Sequence, residues 1–212
     1  LNDFPDKLIK YLIKEYNLKG KILDVMCGRG EHAESFRKNN LDVSCLDIST
    51  DAASVFSEKD KKLFICDTGK EKYPFDDNTF DVTFCKSGIE HVKPDHLISE
   101  MYRITKPGGK IIILTLDWWY TYRMHYIDYT HGYGVPWTKN SLRLILESYN
   151  FKEIQVKNFY YLSFTWQYPQ LKLICWMIRN FLPYPYIENF TNPIWKLVRF
   201  SNEVQIIGYG KK

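Results

Sequence analysis

Apolar side chains recur at helical spacing near the start of the chain, at Leu8, Ile9, Leu12, Ile13 and Tyr16. That period predicts a helix over residues 5–17, with Pro5 in its first turn and Asn17 to Gly20 as its stop. The run Lys21-Ile22-Leu23-Asp24-Val25 then reads as a short buried strand. The alternation continues with a helix over 31–38, a strand over 42–46 ending at Asp47, and a helix over 50–58 capped by Ser49 or Thr50. Strands follow at 63–66, ending at Asp67, and at 80–85. Pro94 opens a helix running to Thr105, Lys106-Pro107-Gly108-Gly109 forms a turn, and 110–116 is a fifth strand. A helix over 140–148 and strands over 151–157 and 204–209 complete the pattern. Strands alternating with helices through short connections predict an α/β fold. It is a Rossmann-like, seven-stranded, mostly parallel sheet with helices on both faces.

Open α/β sheets bind ligands beyond the carboxyl ends of their strands. The residues just past each strand are therefore the candidates. The first strand runs into Met26-Cys27-Gly28-Arg29-Gly30, where glycines let the backbone approach a ligand that a Cβ would block. The helix that follows points its free N–H groups at the same space. Asp47 closes the second strand about twenty residues further on, the offset of a carboxylate that accepts from ribose hydroxyls. Asp67, with Thr68, closes the third, where a carboxylate can accept from the exocyclic amine of adenine. The competing reading has Asp47 and Asp67 merely capping helices.

Composition narrows the classes. A chain of 212 residues fits one domain, and a net charge of +4 without a dense basic block argues against a nucleic-acid partner. None of the five cysteines (Cys27, Cys45, Cys66, Cys85, Cys175) forms a CxxC pair. Buried thiols in a reducing, cytoplasmic compartment are the expectation. No apolar run is long enough to span a bilayer.

Four stretches together resemble one family. Ile22 to Gly30 resembles the first motif of the class I S-adenosylmethionine-dependent methyltransferases of the type 11 group. Tyr73-Pro74-Phe75-Asp76-Asp77-Asn78-Thr79-Phe80-Asp81-Val82, Ile89-Glu90-His91-Val92 and Met101 to Lys110 resemble its later signatures, in the same order. The resemblance implies S-adenosylmethionine as cofactor and S-adenosylhomocysteine as product. It places Asp24 and the backbone of Cys27, Gly28 and Gly30 at the methionine part. Asp47 and Ile48 fall at the ribose, Asp67 and Thr68 at the adenine, and Lys86 where the fourth strand closes over the cofactor. Met26 departs from the family, which usually has glycine there, and would narrow the pocket. A nicotinamide dinucleotide is the rival, since Gly28 to Ala33 satisfies G-x-G-x-x-G/A. Asp24 would then sit against a pyrophosphate of like charge.

The acceptor side is less determinate. Residues 1–117 read as a cofactor-binding half, 118–137 as a lid insert and 159–200 as a carboxy-terminal cap segment, all within a single domain over 1–212. The lid region holds Trp118, Trp119, Tyr120, Tyr122 and Trp137, suited either to stacking on a sugar ring or to packing the lid down. Asp128-Tyr129-Thr130-His131 with Pro136-Trp137-Thr138 resembles a pattern in members found among surface-polysaccharide genes. His131, oriented by Asp128, and His91 are the candidate bases. His125, Asp128 and His131 match no zinc spacing, and no metal is expected. O-methylation of a small hydroxylated acceptor, such as a sugar of a surface glycan, is the expected reaction. The alternatives are a small amine, a phosphate-type oxygen, a non-catalytic cofactor-binding domain and an oxidoreductase. The apolar face Leu171, Ile174, Cys175 and Ile178 leaves three roles for the cap: a pocket wall, a dimer surface or a peripheral membrane contact.

Overall fold

A computed structural model describes residues 3–49, 62–122, 135–182 and 192–212. The amino-terminal period becomes α1 (Phe4–Tyr16), with Leu8, Ile9 and Leu12 fully buried. Asn17, at φ 48°, ends it in the left-handed conformation that asparagine tolerates. Then come β1 (Lys21–Val25), α2 (Glu31–Lys38), β2 (Asp42–Asp47), β3 (Leu63–Ile65) and β4 (Phe80–Lys86). They are followed by α3 (Pro94–Ile104), β5 (Thr105–Leu116), α4 (Trp118–Thr121), α5 (Lys139–Ser148) and β6 (Lys152–Tyr160). Helices α6 (Phe164–Gln167), α7 (Lys172–Phe181) and α8 (Pro193–Asn202) precede β7 (Val204–Lys211). The helix expected over 50–58 falls outside the described residues.

The seven strands form one sheet in the order β3-β2-β1-β4-β5-β7-β6. The first five are parallel, β7 is antiparallel to β5, and β6 is antiparallel to β7. Two reversals return β6 to the direction of the parallel five, so its carboxyl end lies on the same edge as theirs. Tyr160 at that end pairs with Val204, where β7 begins. The connection from 161 to 203 therefore leaves and re-enters the sheet at the ligand-binding edge.

Alternation along buried strands divides the core between the two faces. Ile111 and Ile113 of β5 join Leu23, Val25 and Met101 on one side. Ile112 and Leu114 join Leu8, Ile22 and Phe36 on the other. All five cysteines are buried and free.

One local expectation is corrected. Lys106 to Gly109 is not a turn ahead of the fifth strand but part of β5. The β4–β5 register jumps from Phe80↔Thr105 to Val82↔Lys110, so these residues bulge out of the ladder. The end of β7 supplies their partners: Gly108 N–H donates to Lys212 O, and Lys212 N–H to Gly109 O. β6 likewise continues to Tyr160, beyond the 157 expected.

Candidate functional site

The turn after β1 is built from left-handed residues: Met26 at φ 59°, Gly28 at φ 53° and Gly30 at φ 71°. Nothing lies within 4 Å of where a Cβ on Gly28 would sit, so the backbone there is open to a ligand. Gly28 N–H donates to Asp47 Oδ2 at 2.8 Å, and Ser49 N–H donates to Oδ1 at 2.9 Å. Asp47 thus binds the end of β2 to the glycine turn. Met26 carries the backbone strain that glycine would avoid, and its side chain fits because residue 88 is also glycine. A Cβ on Gly88 would stand 2.7 Å from Met26 Sδ and 2.9 Å from Cys85 Sγ.

Asp24 is 2% exposed and one of its oxygens, Oδ2, has no hydrogen-bond partner. Burial, reinforced by the nearby Asp47 carboxylate, raises its pKa from 3.8 to about 7. Lys86 and the Ala33 N–H at the start of α2 act in the opposite direction. A cavity of about 350 Å³ opens here, lined by Asp24, Met26, Gly28, His32, Lys86 and Ser87 among others. Cys27 also lines it, but the neighbouring Cys45 and burial push its thiol far upward, so the sulfur stays protonated.

Sequence reading missed two residues here: His32, which lines this cavity, and Tyr161, which contacts its Lys86. His32 is held neutral: burial, then Lys86, lowers its pKa to about 3, and its Nε2 has no partner. Its signal was its place in the first turn of the helix that opens on the ligand space. Tyr161 had no local signal. Its hydroxyl lies 3.2 Å from Lys86 Nζ, which also donates to Ser87 Oγ at 3.2 Å. The Tyr161 ring stacks between Phe4 and Phe200, at 4.5 and 5.7 Å between centroids. Lys86 therefore offers an ammonium group at this site.

Asp67 and Thr68 follow β3 beside this turn, since Cys66 N–H donates to Asp47 O at 2.9 Å. Asp67 Oδ1 accepts from Gly69 N–H at 3.0 Å, and Oδ2 lies 3.3 Å from Lys70 Nζ. Thr68 is buried, its carbonyl accepting from the Tyr73 hydroxyl at 3.2 Å. Ile48, 60% exposed, presents an apolar surface next to Asp47.

His91 ends a short 3-10 turn (Ile89–His91) after β4. Its side chain is exposed and is not among the residues lining the cavity. Asp117 is buried and structural: Oδ1 caps α4 through Trp119 N–H, and Oδ2 accepts from Asn158 Nδ2 at 2.6 Å. Trp118 N–H donates to Trp137 O, and Val135 N–H to Glu90 O. Residues 118 and 137 are thus joined where the insert leaves and returns. His125, Asp128 and His131 lie outside the described residues. Among the described residues no three His, Cys, Asp or Glu side chains gather as a metal site.

Residues 23–113 match the family described as Methyltransferase domain. Demethylmenaquinone methyltransferase of Renibacterium salmoninarum is 33% identical over 94 residues, which cover 44% of this chain and 40% of that protein. The ubiquinone/menaquinone biosynthesis C-methyltransferase UbiE of Burkholderia cenocepacia is 31% identical over 142 residues, 62% of this chain and 57% of that protein. The chain spans about half the length of the curated relatives it matches. A S-adenosylmethionine-dependent methyltransferase from Archaeoglobus fulgidus shares the fold, with a TM-score of 0.65, 20% identity and coverage of 98% of this chain and 94% of that one.

Proposed function

We propose, on the premise that residues 23–113 are a class I S-adenosylmethionine-dependent methyltransferase domain of the type 11 group, that this protein transfers a methyl group to a small acceptor. The observation that carries this reading is the unpartnered, buried Asp24 oxygen in a cavity walled by the open Gly28 backbone. A buried carboxylate without a partner is costly, and a ligand cation would complete it. S-adenosylmethionine supplies a sulfonium methyl group and an α-ammonium when bound. Asp24 would hold the ammonium. Asp47 would accept from the ribose, with Ile48 beside it. Asp67 and Thr68 would face the adenine. Lys86, braced by Tyr161, closes the fourth side. The two carboxylates around Gly28 leave little room for a pyrophosphate, which counts against a dinucleotide.

In this reading, residues 1–117 carry the cofactor while 118–137 and 159–200 enclose the acceptor. The relatives bear the names of quinone methyltransferases and lend no support to a sugar acceptor. An apolar, flat acceptor suits the aromatic group of Phe4, Tyr161 and Phe200 beside Lys86. The exposed Trp119 ring favours the second reading, transfer to a sugar hydroxyl. Positioning supplies most of the catalysis, and a hydroxyl acceptor also needs a base, for which His131 with Asp128, or His91, stands in sequence. Five buried, unpaired cysteines fit a reducing, cytoplasmic setting.

The test is calorimetric titration with S-adenosylhomocysteine, NAD and NADP in parallel. Binding of S-adenosylhomocysteine alone supports the reading, and nicotinamide binding without it sinks it. Turnover with quinols against sugars then sorts the acceptors. His131→Ala and His91→Ala identify the base as the one whose loss removes turnover while cofactor affinity holds.

A further inference from the structure

Helix α7 is apolar on both of its faces. Cys175 is fully buried on the inner side, against α8. On the outer side Leu173 (61% exposed), Trp176 (48%), Met177 (42%) and Phe181 (73%) form a stripe at positions i, i+3, i+4 and i+8. Ile194 of α8 is also 70% exposed. With Lys172, Arg179 and Asn180 on the same helix, an exposed apolar stripe of this kind marks a contact surface.

Charge identifies what covers it. The connection from Phe159 to Glu203 contains four cations, Lys172, Arg179, Lys196 and Arg199, and two acids, Glu188 and Glu203, the second paired with Arg199. Its net charge is therefore +2 of the chain's +4. The neighbouring groove adds more. A cavity of about 630 Å³ between α1 and residues 163–166 is lined by Lys7, Lys10 and Lys14 of α1, with Glu15 (paired to Lys157), Phe164 and Trp166. Trp166 is six residues from Lys172, so the groove wall and the start of α7 are at most about 20 Å apart.

We propose that α7, with the exposed end of α8 and the lysine face of α1, docks on the surface of an anionic lipid bilayer. Aromatic and aliphatic side chains enter the headgroup boundary and the lysines meet the lipid phosphates. A two-fold contact with a second copy would instead set this cationic surface against itself. No helix among the described residues is long and apolar enough to cross a membrane, so the contact is peripheral. Arg179 stacks on Tyr120, 4.5 Å from the ring centroid, which places the docking helix against the start of the acceptor-side insert. An apolar acceptor dissolved in the bilayer would enter there. The docking itself stands independently of that acceptor.

The test is flotation of the full chain with phosphatidylcholine vesicles, with and without phosphatidylglycerol, alongside light scattering for oligomeric state. The wild type should float with the phosphatidylglycerol vesicles at low salt and be released near 1 M NaCl, where charges are screened within about 3 Å. Leu173→Glu/Phe181→Glu should lose binding while its S-adenosylhomocysteine affinity is unchanged, which separates failure of docking from failure of the cofactor reading. Lys10→Glu and Lys14→Glu should each weaken binding about fivefold or more. Absence of wild-type binding at low salt overturns the proposal, as does full binding by the Leu173/Phe181 variant. A wild-type dimer that this variant converts to monomer, with no flotation by either, assigns the stripe to a second copy instead.

Discussion

Asp24 shows how one buried carboxylate couples stability to ligand. Its folded pKa of about 7 lies above the 3.8 of an unperturbed aspartate, so the folded chain keeps a proton that the unfolded chain releases. Stability is therefore lost as pH rises from about 4 to 7, by on the order of a few kcal/mol, and is level above. Asp24→Asn should melt above wild type at pH 8 and near it at pH 4, while losing cofactor affinity. Under the proposed function, only the ionised form of the wild type attracts the ligand ammonium. Its S-adenosylhomocysteine affinity should rise about tenfold from pH 6 to 8, and the variant's should stay flat. A flat wild-type profile would separate Asp24 from the ammonium. Asp47→Ala should weaken the same affinity by roughly 1.5–3 kcal/mol, through a lost charge-assisted hydrogen bond and a loosened Gly28 turn. Unchanged affinity would remove Asp47 from the ribose. Met26 and Gly88 are a compensating pair. Gly88→Ala should cost about 1–3 kcal/mol by overpacking. Met26→Gly in the same chain should recover part of that, a coupling that chemical denaturation of the double-mutant cycle measures.

Element by element, the legible parts were those whose pattern is local. Glu31–Lys38 and Lys21–Val25 appear with the bounds their periodicity indicates. The bulge at Lys106–Gly109 was not legible, because its partners come from Lys212 at the far end of the chain. Helix α5 illustrates a readable start. Thr138 and Ser141 form a reciprocal capping box where the chain returns from the insert. Thr138→Ala should cost about 1 kcal/mol of stability. A melting temperature unchanged by this substitution would show that the Trp118–Trp137 backbone bond anchors the return without the cap.

At the scale of the molecule, a two-reversal path brings β6 back to the direction of the parallel strands. The connection from 161 to 203 thereby starts and ends at the carboxyl edge of the parallel strands. Ligand binding to the folded state alone should stabilise the whole sheet. S-adenosylhomocysteine at one hundred times its Kd should add about 2.7 kcal/mol, a melting rise of roughly 5–10 °C for a chain of this size. No rise at saturation would mean that the site does not form as described.

The strand–helix alternation, the glycine turn and the acids at the strand ends were determined by the sequence alone. Each depends on neighbouring residues and on a backbone period that leaves its mark in the order of side chains. Tertiary structure decided the rest. Tyr161 reaches Lys86 across 75 positions. Gly88 makes room for Met26, and burial, with Lys86 nearby, lowers the pKa of His32. The outer stripe of α7 is exposed because α8 occupies the other side. Sequence specifies what each segment can bury, but desolvation, close contact and the charge around a group exist only once distant segments meet.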